Sequence, residues 1–432
     1  MKLYSTNSSA KVVDIKEAVF KSLPADRGLY MPCEIPRLDK VFIKTLKQHS
    51  FQSIAFEVCK ALFQDRIPDD DLKVIVERAI TFPAPVIPLK NNHYILELFH
   101  GPSLAFKDFG ARFMAQLMSY FLRGEDRKLT ILVATSGDTG GAVASGFYET
   151  DGIEVIILYP SGKVSDLQEK QLTTLGKNIT ALEIDGTFDD CQALVKQAFL
   201  DESLNKKYNL SSANSINIAR LIPQSFYYFE AYKQVTSNDL PIAFCVPSGN
   251  FGNLTAGLLA QKMGLPINQF IAATNINDVV PQYLSSGDFH PKPSKSTISN
   301  AMDVGNPSNF VRMLDLHGST WNTVKDQVVG YAVNDGDTRE TIQTVYEQEK
   351  YVLCPHTAVG YRAAQRYQSS HSAANVVTLG TAHPSKFIDV VEETIQARVV
   401  VPERLAALAD RKKVSTELGI GFDEFKFWLM DR

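Results

Sequence analysis

Short apolar runs alternate with segments of helical periodicity from residue 94 onward, and this alternation restricts the possible folds more than any other feature of the chain. The runs lie at residues 94–98, 129–134, 154–159, 179–184, 242–246, 270–273 and 376–379. Strands that are apolar along their whole length are buried on both faces, and helical crossovers between such strands favour a parallel sheet. The sequence therefore predicts an α/β fold with mainly parallel sheets flanked by helices.

The segments on either side of this region differ from it. Residues 38–63 and 69–80 carry helical apolar spacing, which predicts a mainly helical N-terminal domain, and the proline-rich stretch 83–88 marks its end. No clear period holds over residues 282–331, which we take as a candidate lid. The predicted division is an N-terminal domain at 1–90, a catalytic region of two α/β lobes at 91–400 and a helical tail at 401–432.

Composition excludes several classes of protein. The formal net charge of −4 gives no basic surplus of the kind that nucleic-acid-binding proteins carry. No apolar stretch approaches the roughly 20 residues that span a bilayer, and residues 1–7 lack the apolar core of a signal peptide. The five cysteines are scattered and form no CxxC pair, which argues against disulfides and a structural metal. We expect a cytoplasmic protein without a metal site, and its oligomeric state stays open.

Lys107 lies between a predicted strand and a strongly periodic helix. The helical positions Phe109, Phe113, Leu117 and Phe121 place one buried face directly after it. A lysine at this point is poorly hydrated and close to the positive end of the helix dipole, and both effects favour the neutral amine that attacks a carbonyl group. For a lone lysine, a surface side chain whose stem covers apolar atoms would be the better interpretation. The neighbouring loops decide between the two.

Two glycine-rich loops join predicted strands to predicted helices. In the loop at 246–253, backbone N–H groups at a helix N-terminus form a candidate phosphate site. In the loop at 134–141, hydroxyls and a carboxylate lie close together, and the hydroxyls could donate to an anion. The alternatives are glycines needed for packing alone and an N-cap formed by Ser136 or Asp138.

Two further segments carry suitable polar groups. Asn214, Ser215 and Arg220 bring an amide, a hydroxyl and a guanidinium together, and arginine suits bidentate recognition of phosphate. A helix start with a surface arginine is about equally plausible on this segment alone. Thr381 follows the last apolar run, where its hydroxyl could face a ring nitrogen, although it could also be an ordinary turn residue. His383 nearby is better interpreted as a structural histidine than as a catalytic one.

Together these features match the needs of pyridoxal 5′-phosphate. That cofactor requires an amine for its imine bond, donors for its phosphate and a partner for its pyridine nitrogen. In a parallel α/β sheet all three would lie at the carboxyl ends of the strands, where ligands bind.

Seven segments of the chain resemble the threonine synthase family, which belongs to the fold type II pyridoxal-phosphate enzymes. The resemblance runs over residues 1 to about 390 in the order of the family and weakens after residue 402. The matching segments are GLYMP at 28–32, ELFHGPSLAFKDFG at 97–110, ATSGDTG at 134–140, SANSIN at 212–217, VPSGNFG at 246–252, SNAMDV at 299–304 and GTAHP at 380–384.

The resemblance implies roles for individual residues. Lys107 would form the imine with the cofactor and move protons, and Thr381 would face the pyridine nitrogen. Asp138 stands where many relatives of this fold place an asparagine near the phenolic oxygen, which leaves its partner and protonation open. The residues implied around the cofactor phosphate are Ser248, Gly249, Asn250, Phe251 and Gly252. Those implied for the substrate's carboxylate and phosphate are Thr135, Ser136, Thr139, Asn214, Ser215 and Arg220, with Lys163 as an addition argued only from its charge.

The implied reaction converts O-phospho-L-homoserine and water to L-threonine and phosphate, the last step of threonine biosynthesis. Two alternatives are weighed against it. One is another enzyme of the same fold, such as a serine or threonine dehydratase or a β-replacement synthase. The other is a non-catalytic relative that binds pyridoxal phosphate or a phosphorylated ligand as a sensor. The long matching segments argue against the first, and the intact Lys107 and loops argue against the second.

Overall fold

The N-terminal region combines four helices with a small sheet. The computed structural model describes residues 1–125, 128–235 and 240–432. Strands β1 (Lys2–Ser5), β2 (Val13–Asp14) and β3 (Tyr30–Pro32) form an antiparallel sheet in the order β2-β1-β3, which the sequence analysis does not predict. The helices are α1 (Ile15–Lys21), α2 (Lys40–Lys44), α3 (Phe51–Phe63) and α4 (Asp69–Ala79).

The helical spacing predicted over residues 38–63 is divided between α2, a short 3-10 turn and α3. Helix α3 begins anew because the Ser50 side chain accepts a hydrogen bond from the Ser53 backbone N–H and so caps it. Helix α4 begins with three aspartates, which suit the positive end of the helix dipole, as expected.

The remaining strands and helices alternate along the chain. The strands are β4 (Val86–Pro88), β5 (His93–Glu97), β6 (Leu129–Ala134), β7 (Ile153–Pro160), β8 (Ile179–Ile184), β9 (Asn209–Ser212), β10 (Ile242–Pro247), β11 (Gln269–Thr274), β12 (Val328–Ala332), β13 (Asn375–Gly380) and β14 (Thr416–Leu418). The helices are α5 (Lys107–Leu122), α6 (Asp138–Phe147), α7 (Asp166–Thr173), α8 (Phe188–Leu200), α9 (Glu202–Lys207), α10 (Ile218–Leu221), α11 (Phe226–Val235), α12 (Gly252–Lys262), α13 (Val279–Ser286), α14 (Phe310–Asp315), α15 (Trp321–Lys325), α16 (Asp335–Glu349), α17 (Pro355–Gln368), α18 (Ile388–Ile395), α19 (Glu403–Ala406) and α20 (Phe422–Met430).

These strands form two sheets, as the α/β prediction requires. One has the order β14-β8-β7-β6-β9, and every pair in it is parallel. The other has the order β12-β11-β10-β13-β5-β4, in which only the edge pair β4–β5 is antiparallel. Strands β6, β10 and β13 are buried at every residue, which is why they are visible in the sequence as continuous apolar runs.

Helix α5 supports the site through its buried face. Phe113, Met114, Leu117 and Met118 have no exposed surface, and each such side chain contributes about 1.5–3 kcal/mol through burial. Phe109 packs against the rings of Phe51 and Tyr227. The start of this helix is therefore fixed by contacts with both the N-terminal helices and the α/β region.

Two parts of the chain differ from the sequence interpretation. Residues 282–331 show no period in the sequence but do contain regular secondary structure: the end of α13, the whole of α14 and α15 and most of β12. Helices α14 and α15 have six and five residues, too few to show a helical period. The tail predicted as helical also contributes β14, a three-residue strand at the edge of a sheet. The described part of the chain contains no helix long and apolar enough to cross a membrane.

Candidate active site

A cavity of about 460 Å³ lies at the carboxyl ends of the strands, between the two sheets' glycine-rich loops. Every residue predicted to contact cofactor or substrate lines it. They are Lys107, Thr135, Ser136, Asp138, Thr139, Asn214, Ser215, Arg220, Ser248, Gly249, Asn250, Phe251, Gly252 and Thr381, with Lys163. His383 is not among the lining residues; its Nδ1 contacts Ser385 Oγ at 2.8 Å and caps a short 3-10 helix, which is the structural role expected.

Lys107 is the first residue of α5 and faces this cavity. Burial lowers the pKa of its ammonium to about 8, while the Asp138 carboxylate raises it and the charges of Lys386 and Arg220 lower it. A substantial fraction of Lys107 is therefore the neutral amine at mildly alkaline pH, the form that reacts with a carbonyl.

Two loops that carry site residues are joined by backbone hydrogen bonds. Ala105 and Ala382 form an isolated antiparallel bridge. The Phe106 N–H donates to the Thr381 carbonyl at 2.9 Å, and the His383 N–H donates to the Leu104 carbonyl at 3.0 Å. Thr381 follows β13 and Lys107 follows β5, its neighbour in the sheet, so this pairing brings the predicted imine lysine beside the predicted ring-nitrogen partner.

The loop after β10 leaves the N-terminus of α12 without a side-chain cap. Phe251 has a left-handed backbone (φ +60°), and the helix begins at the next residue. A Cβ atom at Gly249 would lie 2.9 Å from the Ala301 carbonyl oxygen and 3.0 Å from Met302 Cα, so only glycine allows this approach. The first N–H groups of an uncapped helix, facing a cavity, suit a phosphate group.

The loop after β6 is arranged differently. The Thr135 Oγ1 accepts hydrogen bonds from the N–H groups of Gly137 at 3.0 Å and Gly140 at 2.8 Å. The N-cap of α6 is Gly137, so neither Ser136 nor Asp138 has the capping role that the sequence analysis considered, and the acceptor near the start of the helix is Thr135. Its hydroxyl keeps one proton to donate, while Ser136 and Thr139 line the cavity beside it.

Asp138 forms a buried ion pair that sequence reasoning did not find. Lys386 Nζ lies 2.6 Å from Asp138 Oδ1, and Gln168 Nε2 donates to the same oxygen at 3.0 Å. Burial by itself would raise the pKa of Asp138, but the charges of Lys386 and Lys107 outweigh it and hold the pKa well below its ordinary range. Asp138 is therefore ionised and acts as an acceptor.

Arg220 lies buried at the junction of α10 and α5. Its Nη1 donates to the Ala213 carbonyl at 2.5 Å, and burial lowers the pKa of the guanidinium to about 10. Its Nε, which lies against Gly110, and the nearby Asn214 Oδ1 are buried without a hydrogen-bond partner in the described residues. Unpaired buried polar groups are costly, and they are common where a protein binds a ligand.

Two further residues around the cavity have no motif of their own. His356 lines the cavity; its Nε2 accepts from the Ala301 N–H at 3.1 Å, its Nδ1 has no partner in the described residues, and burial lowers its pKa to about 4. Arg312 is fully buried and donates to the carbonyls of Tyr30 at 3.0 Å and Ile216 at 2.7 Å. It thereby connects the N-terminal sheet to the segment that carries Asn214 and Ser215.

These groups fit pyridoxal phosphate. The cavity offers a lysine of lowered pKa, an uncapped helix N-terminus, a neutral hydroxyl at Thr381 and buried donors without partners. The described residues contain no cluster of His, Cys, Asp or Glu that could hold a metal ion, and all five cysteines are free thiols.

Comparisons with known proteins agree over the full length. A family model described as pyridoxal-phosphate dependent enzyme matches residues 80–382. Models described as threonine synthase N terminus and threonine synthase, C-terminal match residues 2–80 and 357–424. The threonine synthase of Escherichia coli strain K12 is 44% identical over all of both chains, and that of Saccharomyces cerevisiae is 37% identical over 94% of this chain and 93% of its own.

Solved structures give the same result. The crystal structure of threonine synthase from Escherichia coli superposes with a TM-score of 0.93 and covers all of both chains. A PLP-bound threonine synthase from Brucella melitensis has a TM-score of 0.93 at 36% identity and covers 100% of this chain and 99% of its own. Maize serine racemase, at 20% identity and a TM-score of 0.55, shares the fold over 72% of this chain.

Proposed function

The chain belongs to the threonine synthase family of pyridoxal-phosphate enzymes of fold type II, and from this premise we propose that it converts O-phospho-L-homoserine and water to L-threonine and phosphate. One observation supports this choice of substrate. The same cavity contains a lysine of lowered pKa and, in addition to the loop proposed for the cofactor phosphate, a second set of groups that can bind an anion. A phosphorylated amino acid needs both.

Pyridoxal phosphate, when bound, supplies an electron-withdrawing ring that stabilises negative charge on the carbons next to the substrate's amino group. Lys107 would hold the cofactor through Nζ, and residues 248–252 at the start of α12 would hold its phosphate. The hydroxyl of Thr381 would face the ring nitrogen. A neutral hydroxyl there withdraws fewer electrons than a carboxylate would, and we infer that this helps to avoid transamination.

Lys107 is the group that would move protons. Its lowered pKa allows the neutral amine to accept a proton from the substrate's Cα, to release it, and then to accept one from Cβ, which permits loss of the γ-phosphate. One proton must then be delivered to Cγ, which becomes the methyl group, and one back to Cα as water adds its hydroxyl at Cβ; the remaining proton of that water goes to the released phosphate. The ionised Asp138, held by Lys386 and Gln168, would keep a negative charge beside this amine throughout.

The substrate's two anionic groups would be bound by a second set of residues that line the cavity. Arg220, Asn214 and Ser215 come from α10 and the segment before it, and we assign them to the leaving phosphate and the carboxylate. The hydroxyls of Thr135, Ser136 and Thr139 would complete these contacts. A buried guanidinium stabilises a doubly negative leaving group strongly, because little water competes for it.

The same proposal covers the organisation of the chain. We keep the division into an N-terminal domain at 1–90, a catalytic region of two lobes at 91–400 and a tail at 401–432. The partner we propose is a small-molecule substrate and not a nucleic acid, in a cytoplasmic enzyme.

The decisive experiment measures phosphate release from O-phosphohomoserine alongside ammonia release from threonine. We expect phosphate and threonine in equal amounts and little ammonia. Ammonia without phosphate would identify a dehydratase of the same fold and refute the proposal.

Lys107→Ala tests the catalytic role separately. The variant should lose turnover and the yellow, borohydride-reducible adduct with the cofactor. Lys426→Met is the matched control, because Lys426 makes only a surface ion pair with Asp201, and it should keep both properties. Full activity in Lys107→Ala would exclude the proposed role and leave a ligand-binding relative as the better assignment.

A further inference from the structure

Lys386 is a buried cation with two side-chain contacts that bear on Lys107. It lies in the 3-10 helix Pro384–Phe387 after β13, and only 3% of its surface is exposed. Its Nζ contacts Asp138 Oδ1 at 2.6 Å and donates to the Ser103 carbonyl at 2.9 Å. Burying an ammonium costs several kcal/mol unless its partners compensate it, so an arrangement of this kind needs a reason.

The first contact controls charge. Asp138 is a carboxylate in the wall of the cavity, and its negative charge acts on the Lys107 amine, while the positive charge of Lys386 acts on that amine in the opposite direction. The ion pair thus presents Lys107 with a carboxylate whose charge is largely balanced.

The second contact controls position. The Ser103 peptide is held from both sides, since its N–H donates to Asp108 Oδ2 at 2.8 Å and its carbonyl accepts from Lys386. Gln171 Nε2 donates to the same carbonyl at 3.2 Å. Residues 103–106 lead directly into Lys107, and the Ala105–Ala382 bridge ties them to the segment that carries Lys386.

The charged and titratable groups around this cluster come from several elements. They are Lys107, Asp108 and Arg112 of α5, Asp138 of α6, Arg220 of α10, His356 of α17 with Cys354 just before it, His383 and Lys386 of the segment after β13, and Arg404 of α19.

We propose that Lys386 is a positioning residue of the active site, which holds Asp138 as an ion pair and braces the Ser103 peptide so that Lys107 stays in place as a reactive neutral amine. The proposal rests on the role of Lys107 proposed above. It gives Asp138 the partner that an asparagine at this position would not need, because an amide carries no charge to balance.

The test follows the proton affinity of Lys107 directly. In full-length protein freed of cofactor, the rate of reductive methylation of Lys107 is measured from about pH 6.5 to 10 by mass spectrometry of the peptide that contains it. Only the neutral amine reacts, so the midpoint of the rate against pH reports its protonation. Near-ultraviolet circular dichroism and thermal unfolding confirm that each variant is folded.

Lys386→Met removes the positive charge and leaves Asp138 unbalanced, so the midpoint should rise by about one unit or more. Asp138→Asn leaves Lys386 unbalanced, so the midpoint should fall. In the double variant Lys386→Met with Asp138→Asn the two changes should largely cancel, and Lys386→Arg should stay near the parent. A merely structural role for Lys386 would not produce opposite shifts that cancel.

Lys426→Met serves as the control, because it also breaks a lysine–aspartate pair, at 2.7 Å, but neither Lys426 nor Asp201 lines the cavity, and it should leave the midpoint unchanged. Equal midpoints in folded Lys386→Met and parent protein would overturn the proposal. If Lys386→Met does not fold, an Asp138→Asn midpoint that fails to fall would overturn it instead. The measurement involves no substrate, so its failure is distinct from a failure to release phosphate from O-phosphohomoserine.

Discussion

The two glycine-rich loops that face the cavity start helices in opposite ways. The loop before α6 supplies a side-chain acceptor to its own backbone, because the Thr135 hydroxyl accepts from the Gly137 and Gly140 N–H groups, and Asp138 is balanced by Lys386. The loop before α12 has no side-chain cap. A helix N-terminus attracts an external anion only while its own side chains leave the N–H groups unused. The difference supports the proposal that the α12 loop binds the cofactor phosphate.

Adding a methyl group should affect the two loops very unequally. In Gly249→Ala the new Cβ would meet the backbone at Ala301 and Met302, at 2.9 and 3.0 Å, and backbone atoms cannot move aside easily. We expect the affinity for pyridoxal phosphate to fall by about 100-fold or more, which equals roughly 2.7 kcal/mol. An absorbance titration with the cofactor measures this.

Gly141→Ala is the matched change in the α6 region. Its Cβ would lie 3.2 Å from Gln171 Oε1, a side-chain atom that can shift. Cofactor affinity should change little, by less than about threefold. Equal losses in the two variants would contradict the assignment of the phosphate to one loop.

Acid should act on the two loops in different pH ranges. Burial lowers the pKa of His356, which supports the α12 side through Ala301, to about 4, against an ordinary value of about 6.5. Between these values the unfolded chain takes up a proton that the folded chain does not, so His356 costs stability as the pH falls from about 6.5 to 4. The loss amounts to as much as about 3 kcal/mol.

For Asp138, the pH range in which stability is lost is lower than for His356. The pKa of Asp138 is depressed in the folded state. Its contribution to the free energy of unfolding is therefore present above its ordinary pKa of about 3.9 and is lost only as the pH falls further.

Urea unfolding of the cofactor-free chain from pH 7 to 4.5 tests the role of His356. The free energy of unfolding should decline less steeply with falling pH for His356→Gln than for the parent. The exposed His290→Gln should leave the slope unchanged, and a parent-like slope in His356→Gln would refute the link.

Removing one hydroxyl from each loop should have the smallest effects on stability, but it should separate the structural role of one loop from the cofactor-binding role proposed for the other. Thr135→Val leaves two N–H groups without an acceptor and should lower the free energy of unfolding by about 1–2 kcal/mol, even without cofactor. Ser248→Ala loses one hydrogen bond, to the Val246 carbonyl, and should lower the free energy of unfolding by about 0.5–1.5 kcal/mol, with a larger loss in the presence of cofactor than in its absence.

Thermal unfolding of both variants with and without cofactor measures these losses. A larger loss for Ser248→Ala than for Thr135→Val in the cofactor-free protein would contradict the comparison of the two loops.

The sequence predicted what depends on local patterns. Strands β6 and β8 have the predicted bounds, because fully buried strands appear as continuous apolar runs. The lining residues after β6, β10 and β13 were singled out because they lie in loops at the ends of predicted strands, while Asn214, Ser215 and Arg220 were singled out by residue type and by the family resemblance. Strand β14 was missed because it has three residues at a sheet edge, where no pattern can develop.

Contacts between distant parts of the chain were not predictable in the same way. Lys386 and Ser103 are separated by 283 positions, and the sequence around either residue does not predict their contact. Arg312 lies in a region of short helices, and its carbonyl partners are backbone groups that any residue could supply. Such contacts depend on the packing of the whole chain and not on the residue types nearby.

The position of β13 in its sheet has a consequence for synthesis on the ribosome. This strand, Asn375–Gly380, inserts between β10 and β5, so the sheet stays in two separate parts until residue 380 has emerged. Lys107 and Thr381 cannot be brought together before that, because the bridge that joins their loops involves Ala382. A nascent chain that stops before residue 382 therefore lacks the bridge that holds together the lysine and the hydroxyl proposed to bind the cofactor.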